Sequence, residues 1–194
     1  MITEADIPKA VDRMDSEGML AIGREFNMAP PTLAELPEAR ALAQTLMDHE
    51  VVSEAVLTRV LSIQPASTLV FKEDGRITGV SGQLMLTPPT FRIMLAGDFD
   101  AVDVDTDLLA REGDLVSLGY GWGIAASTKP AANAVSWVGR TMRLRLFTHI
   151  TGFTRAVTPV GRHIALNRYG YEPLRHADDD LMISLPKKAA AVAA

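Results

Sequence analysis

The sequence predicts an α/β fold of the mixed, α+β kind: a central sheet of about six or seven strands with helices on both faces. Three observations carry it. Up to Pro65, apolar side chains recur at helical spacing. Residues 67–86 read as a β-hairpin around Asp74-Gly75. From residue 115 onward the pattern runs strand, helix, strand, helix, strand.

Taken in order, residues 1–3 read as a short edge strand. Thr3, Asp6 and Pro8 then signal a helix over 7–17, with Ile7, Val11 and Met14 as its stripe and Gly18 as its end. Pro30-Pro31 forces an extended break. Residues 37–49 read as a helix with Pro37 in its first turn and Leu42 and Leu46 on its apolar face. Residues 56–63 form a second periodic segment. STLVFK at 67–72 and the return segment Arg76–Leu86 flank an Asp-Gly turn, a strong hairpin signal. Pro88-Pro89 ends the hairpin, and 91–95 is a further short apolar run. A helix over 130–148 carries Val135, Val138, Met142 and Leu146 on one face and Asn133, Ser136, Arg140 and Arg143 on the other. Residues 153–158 read as a strand, and 159–169 as a shorter helix stopped by Gly170. A last strand at 181–185 follows the turn Asp178-Asp179-Asp180. Residues 1–186 read as one domain, and 187–194 as an unpatterned tail.

Composition narrows the function classes. A chain of 194 residues with 47% hydrophobic side chains can bury a substantial core. The net charge of -5 and the lack of a basic tract argue against a nucleic-acid partner. With no cysteine there is no thiolate chemistry and no disulfide, which fits a reducing compartment. The polar start MITEADIPKA is unlike a signal peptide, and no apolar run is long enough to span a bilayer. A cytoplasmic protein is expected, without a membrane partner and with room for a homodimer. The spacing of Asp103, Asp105 and Asp107 is similar to the opening of a calcium loop. Leu108 and Asp114, however, stand where that loop needs Gly and Glu. A solvated acidic loop is the plainer reading, and no metal site is expected.

The stretch LVSLGYGWGIAASTKPAANA at 115–134 organises the chain. Val116, Leu118, Tyr120, Trp122 and Ile124 are large, whereas the alternate Gly119, Gly121, Gly123 and Ala125 are nearly bare. Side chains alternate faces along a strand, so one face carries almost no bulk. A glycine-lined strand face marks close approach of backbone or ligand. The helix start after Ser127-Thr128 is suited to phosphate. Two readings stand side by side: a helix packed flat on a small-residue face, or a strand that leads a phosphate-bearing cofactor to a helix start.

Three segments resemble the GNAT-type N-acetyltransferases. ITEADIPKAVDRM is similar to that family's opening strand and first helix. LVSLGYGWGIAASTKPAANAVSWVGRTM lies where the family has its fourth strand and pyrophosphate turn. PVGRHIALNRYGYEPL is similar to its last helix and the following Gly-Tyr-Glu. The resemblance implies an acyl-CoA-dependent N-acyltransferase, with acetyl-CoA as co-substrate and a small-molecule or peptide amine as acceptor. The amine would attack the thioester directly. The alternative is a GNAT-like module that binds a ligand or protein without catalysis.

The family's turn, Gln/Arg-x-x-Gly-x-Gly/Ala, is matched by Lys129-x-x-Ala132-x-Ala134, with both small positions Ala and with Pro130 lacking an N–H. The resemblance thus makes Ile124, Ala125, Ala126, Lys129, Ala131, Ala132, Asn133 and Ala134 the cofactor-binding candidates, with Lys129 as the phosphate contact. It makes Tyr120, Tyr169 and Glu112 the catalytic candidates: Glu112 or Asp114 as a base acting through water, Tyr169 as an acid for the leaving thiolate. Leu166 stands where the family usually has that tyrosine. Tyr120 and Trp122 read equally as core or pocket lining. His149, His163 and His176 lack a partner at a telling spacing.

Overall fold

Eight paired residues carry the mixed topology in the computed structural model, which describes residues 12–47, 50–174 and 180–186. They form the parallel pair between β6 (Leu118–Ala126) and β7 (Thr151–Arg155). Every other strand contact is antiparallel. The seven-stranded sheet has the order β2 (Met28–Ala29), β3 (Thr68–Glu73), β4 (Arg76–Leu86), β6, β7, β9 (Leu181–Ser184), β8 (Glu172–Pro173). A parallel pair requires a crossover, and α5 (Lys129–Arg145) supplies it. A separate two-stranded ladder joins β1 (Asp12–Arg13) to β5 (Leu115–Val116).

Helices cover both faces of the sheet. On one face α1 (Ser16–Glu25) and α5 enclose a cluster with Met19, Ile22, Met85, Val138, Met142 and Phe147. On the other face lie α2 (Leu36–Leu46), α3 (Glu54–Ile63) and α4 (Thr90–Ala96). Their side of the core includes Val60, Leu84, Phe91, Tyr120 and Phe153, with Ala39, Val70 and Ile77 as a smaller cluster under α2. Among the described residues, no helix is long and apolar enough to cross a membrane.

Local signals set most boundaries. Asp74 (φ 50°) and Gly75 (φ 77°) both adopt the left-handed conformation that a two-residue hairpin needs. The return strand β4 spans the predicted residues 76–86. Ser53 caps α3 by accepting the Val56 N–H, and Thr32 with Glu35 forms a capping box ahead of α2. Thr158 caps α6 (Pro159–Ile164), which continues as a π-helical turn over Ala165–Tyr169 and stops at left-handed Gly170.

Four expectations change. The helix expected over 7–17 is not seen in its described part. Asp12 and Arg13 pair with Val116 and Leu115, and α1 begins only at Ser16. Gly18 does not end a helix. Its N–H donates to the Asp15 carboxylate that caps α1, and a Cβ there would stand 2.3 Å from Asp15 Oδ2. The glycine thus admits the cap, while Asn27 (φ 55°) follows the helix end. The apolar run at 91–95 is the helix α4, with Gly97 left-handed behind it. The strand expected over 153–158 lies at 151–155, because Thr158 serves as a helix cap. The edge strand at 1–3, the start of the first helix, the end of the 37–49 helix, His176 and the tail at 187–194 lie outside the described residues.

The fourth change bears on function. Gly82 of β4 pairs with Gly123 and Gln83 pairs with Gly121, so Trp122 is an extra residue: a β-bulge. Alternation is interrupted there. Gly119 and Gly121 face α5, as their nearest neighbours Met85, Ile150 and Thr154 indicate. Gly123 instead faces Met47 at the end of α2. The bare face predicted along 119–125 is therefore divided between the two sides of the sheet.

Gln64, at the end of α3, behaves as a piece of strand. Its Nε2 donates to the carbonyls of Met85 (2.6 Å) and Ala110 (2.8 Å), and its Oε1 accepts the Met85 N–H (3.1 Å). The side chain is wholly buried. Leaving buried backbone groups unpaired costs about 1–3 kcal/mol each. Gln64→Leu is expected to lower stability by about 2–4 kcal/mol on that basis. A urea unfolding midpoint that stays at the wild-type value would refute this role.

Candidate functional site

The sheet opens where the parallel pair ends. β6 and β7 pair from Leu118↔Thr151 to Gly121↔Thr154 and no further, although β6 continues to Ala126. β7 ends at Arg155, and the chain turns away through Ala156 and Val157 to α6. Beyond Gly121, then, the ladder partner of β6 among the described residues is β4. The Ser127 N–H donates to Thr78 O (2.9 Å) on β4. In an antiparallel ladder successive residues turn their amides to opposite sides. The N–H groups of Ile124 and Ala126 therefore point into the gap beside β7.

Two cavities meet at this gap. An inner one of about 160 Å³ lies beneath α5 and α6, with Gly119, Gly121, Gln83, Arg143, Thr154 and Tyr169 in its wall. A larger one of about 480 Å³ lies on the α2 side, walled by Phe99, Tyr120, Trp122, Val52, Glu50 and Asp98. Gly82, Tyr120, Gly123, Ile124 and Arg155 line both. The glycines admit close neighbours in the wall of the inner space: a Cβ on Gly121 would stand 3.1 Å from Thr154 Oγ1, and one on Gly119 3.1 Å from Ile150 Cδ1.

The structure brings some predicted residues together and separates others. Tyr120 is buried, with its ring 5.0 Å from that of Phe99, and faces the junction of the cavities. Tyr169 lines the inner cavity, and its hydroxyl donates to the Ser136 carbonyl of α5. Burial, opposed by Arg168 and Arg140, pushes its pKa up to about 12. Ile124 is exposed at the mouth, and Ala125 is buried in the wall of the larger cavity. Ala126 packs towards the α1–α5 cluster. Glu112 is elsewhere: its carboxylate accepts the Ser16 N–H (2.9 Å) at the start of α1, and it lines neither cavity. Asp114 likewise caps the Arg111 N–H. His149 pairs with Asp12, and His163 contacts Asn167. Leu166 is exposed.

At the start of α5, Lys129 and Asn133 are exposed, whereas Ala131 and Ala134 are buried against the sheet. A Cβ on Gly79 would stand 3.0 Å from the Ala131 Cβ, so the small residues seat the helix close to β4. The Ala131 N–H is held by Thr128 Oγ1 and the Ala132 N–H by the Thr128 carbonyl. Glu73 adds a carboxylate beside them. Its Oε2 accepts from both the Thr128 and Thr78 hydroxyls, which holds its pKa below the usual carboxylate value. This fixed negative charge favours the helix dipole and opposes a phosphate at the same turn. In the acidic loop, Asp100 caps the N–H groups of Val102 and Asp103, and Asp105 caps that of Asp107.

Arg143, Ser136 and Tyr171 carry more of the site than the sequence indicates. Arg143 and Ser136 read as a solvated stripe of α5. Yet Ser136 is buried, and Arg143 lies over the Tyr171 ring at 5.8 Å. The one available signal is Gly152, a bare residue in a short strand.

No family model matches the chain, and neither does any curated protein. It is similar to a number of solved structures, among them these three. GphF, a GNAT-like decarboxylase in complex with isobutyryl-CoA, shares 17% identity at a TM-score of 0.47, over 71% of this chain and 70% of that one. A protein described as histone acetyltransferase HPA2 and related acetyltransferase, from Corynebacterium glutamicum, shares 14% at 0.49, over 84% and 98%. The C-terminal condensation domain of Ebony in complex with beta-alanyl-dopamine shares 11% at 0.46, over 80% and 95%.

The phenols give a test of the site's dryness. Tyr169 has a folded pKa of about 12 against an ordinary 10.0. The folded state keeps the proton longer, so stability is unaffected below about pH 10 and falls as pH rises from there to about 12. Burial raises Tyr171 as well. Native-state absorbance titration is expected to show late phenolate formation, with one late step removed in Tyr169→Phe. Ordinary titration of Tyr169 would mean that its hydroxyl is hydrated.

Proposed function

We propose that the protein is an acyl-CoA-dependent N-acyltransferase of the GNAT type, with acetyl transfer to a primary amine as the basic reaction. The observation that carries this reading is the gap between β6 and β7, reached by separate cavities from opposite faces of the sheet. A reaction between two substrates needs such a meeting point, because holding both reactants in place removes much of the entropic barrier. The thioester arm fits the inner cavity along Gly121, with its pyrophosphate end near Lys129. The amine fits the larger cavity, where Glu50 and Asp98 favour a cationic acceptor.

The chemistry follows from that placement. The amine nitrogen, having lost its ammonium proton to solvent, attacks the thioester carbonyl carbon. A C–N bond forms, and the carbonyl oxygen becomes an oxyanion. The Ile124 N–H, free of β4, is a donor aimed into this space. The C–S bond then breaks. The nitrogen releases its second proton to water, and the thiolate takes a proton. Tyr169 lines the inner cavity and is the candidate donor, once its bond to Ser136 is released.

One observation favours a second reading, a non-catalytic module of the same fold: Glu73 occupies the start of α5 where phosphate would dock. Melting and turnover separate the two. Acetyl-CoA is expected to raise the melting temperature, by about 2.7 kcal/mol of stabilisation at a hundredfold excess over Kd. Gly121→Val, which fills the gap against Thr154, is expected to abolish the shift, and Lys129→Glu to reduce it. The absence of a shift at millimolar acetyl-CoA would sink the proposal. A shift without acyl transfer to any of a panel of amines would favour the module.

A further inference from the structure

Resting on the acyl-CoA reading above, we infer that the inner cavity selects an acyl group ending in a carboxylate, and that Arg143 binds that carboxylate. Arg143 projects from α5 towards β7 and β9. Its Nη2 donates to the carbonyls of Ser184 (3.0 Å) and Leu185 (3.3 Å). Its Nη1 is buried in the wall of the inner cavity beside the Tyr171 hydroxyl, with no carboxylate or carbonyl accepting from it among the described residues. No carboxylate among the described residues pairs with this guanidinium. A cation in a cavity wall without a counter-charge is costly, and arginine cannot shed its charge. An anion brought by a ligand removes that cost.

The floor beneath Nη1 is backbone. A Cβ on Gly152 would stand 2.9 Å from Arg143 Nη1 and 2.7 Å from the Tyr171 hydroxyl. Both polar atoms reach the floor only because residue 152 is bare. Gly152 pairs with Gly119, and Gly121 lies two residues nearer the gap on the same side. At about 3.3 Å per residue Gly119 lies roughly 6.6 Å from Gly121, and Gly152 lies one strand spacing of about 4.8 Å across from Gly119, with the Ile150 and Met85 side chains flanking Gly119. An acetyl group at the gap stops short of it. A longer acyl chain laid over Gly121 and Gly119 ends at Nη1, where its carboxylate accepts from Arg143 and from the Tyr171 hydroxyl. A neutral chain of the same shape leaves the guanidinium charge without a counter-ion, and sites built to hydrogen-bond a substrate group discriminate strongly against analogues that lack it.

The test is isothermal titration of the full chain with succinyl-CoA and with 4-methylpentanoyl-CoA, in which an isopropyl group replaces the carboxylate. Succinyl-CoA is expected to bind at least about tenfold more tightly, and Arg143→Met to bring the ratio near one. Because Nη2 also ties α5 to β9, Tyr171→Phe is the second variant. It keeps the guanidinium and is expected to reduce the preference in part. Equal binding by the wild type, or tighter binding of the neutral acyl-CoA, overturns the inference whatever the variants do. A preference that survives Arg143→Met overturns the assignment to that residue. If acetyl-CoA binds while succinyl-CoA shows no advantage, this inference alone falls. If no acyl-CoA binds, the reading beneath it falls too.

Discussion

A parallel strand pair cannot be closed by a tight turn, and the rest of the structure is arranged around that constraint. β6 and β7 run the same way, so the chain must climb back over the sheet between them. The 17 residues of α5 make that return. At about 1.5 Å per residue the helix spans roughly 25 Å, enough to cover the sheet from the open end of the gap to its closed end. The same helix therefore lays Val135, Gly139 and Arg143 over the inner cavity. The parallel pairing is also short, four rungs from Leu118 to Gly121, and its early end is what leaves the Ile124 and Ala126 amides without a strand neighbour on that side.

The bulge at Trp122 is the second determinant. Without it, Gly119 to Ala125 would all share one face, and the sheet would present a single long groove beneath α5. The extra residue sends Gly123 to the α2 side, where a Cβ would stand 3.0 Å from Met47 Cε. It also places the Trp122 indole over the acidic loop, where its Nε1 donates to the Ala101 carbonyl (2.7 Å). Both sides of the sheet thereby gain open space at the same point along β6, one ahead of the bulge and one behind it.

What was legible in the sequence was local. The Asp-Gly turn, the helix start at Thr128 and the stop at Gly170 are each decided by a few adjacent residues, and the sequence places them to within a residue or two. The mixed sheet followed from the order of those elements. What stayed hidden depends on distant partners. Asp12 and Arg13 are strand because Val116 and Leu115 lie beside them, not because of their own propensity. Gly18 looks like a helix stop until Asp15 is seen folded over it. The bulge leaves no mark in the alternation of sizes, since small and large residues continue in step on either side of Trp122. Arg143 sits on the polar stripe of its helix, and only the bare Gly152 beneath it turns that stripe inward. Glu112, read as a candidate base, is drawn to a helix start that the sequence had placed elsewhere.

Because Gly119, Gly121 and Gly152 form the floor of the inner cavity, its shape is drawn by main chain and not by side chains. This makes the cavity coarse to retune during evolution. A pocket lined by leucines and valines can be widened or narrowed one methyl at a time and in several directions. A glycine floor can only be raised, and the smallest step available is a whole Cβ placed 2.7–3.1 Å from a neighbouring atom. Change in the cavity's shape is therefore left to the roof, where Val135 and Gly139 of α5 lie outside the strand ladder. The lineage of this fold should record its history of ligands in one face of one helix, while the floor stays fixed.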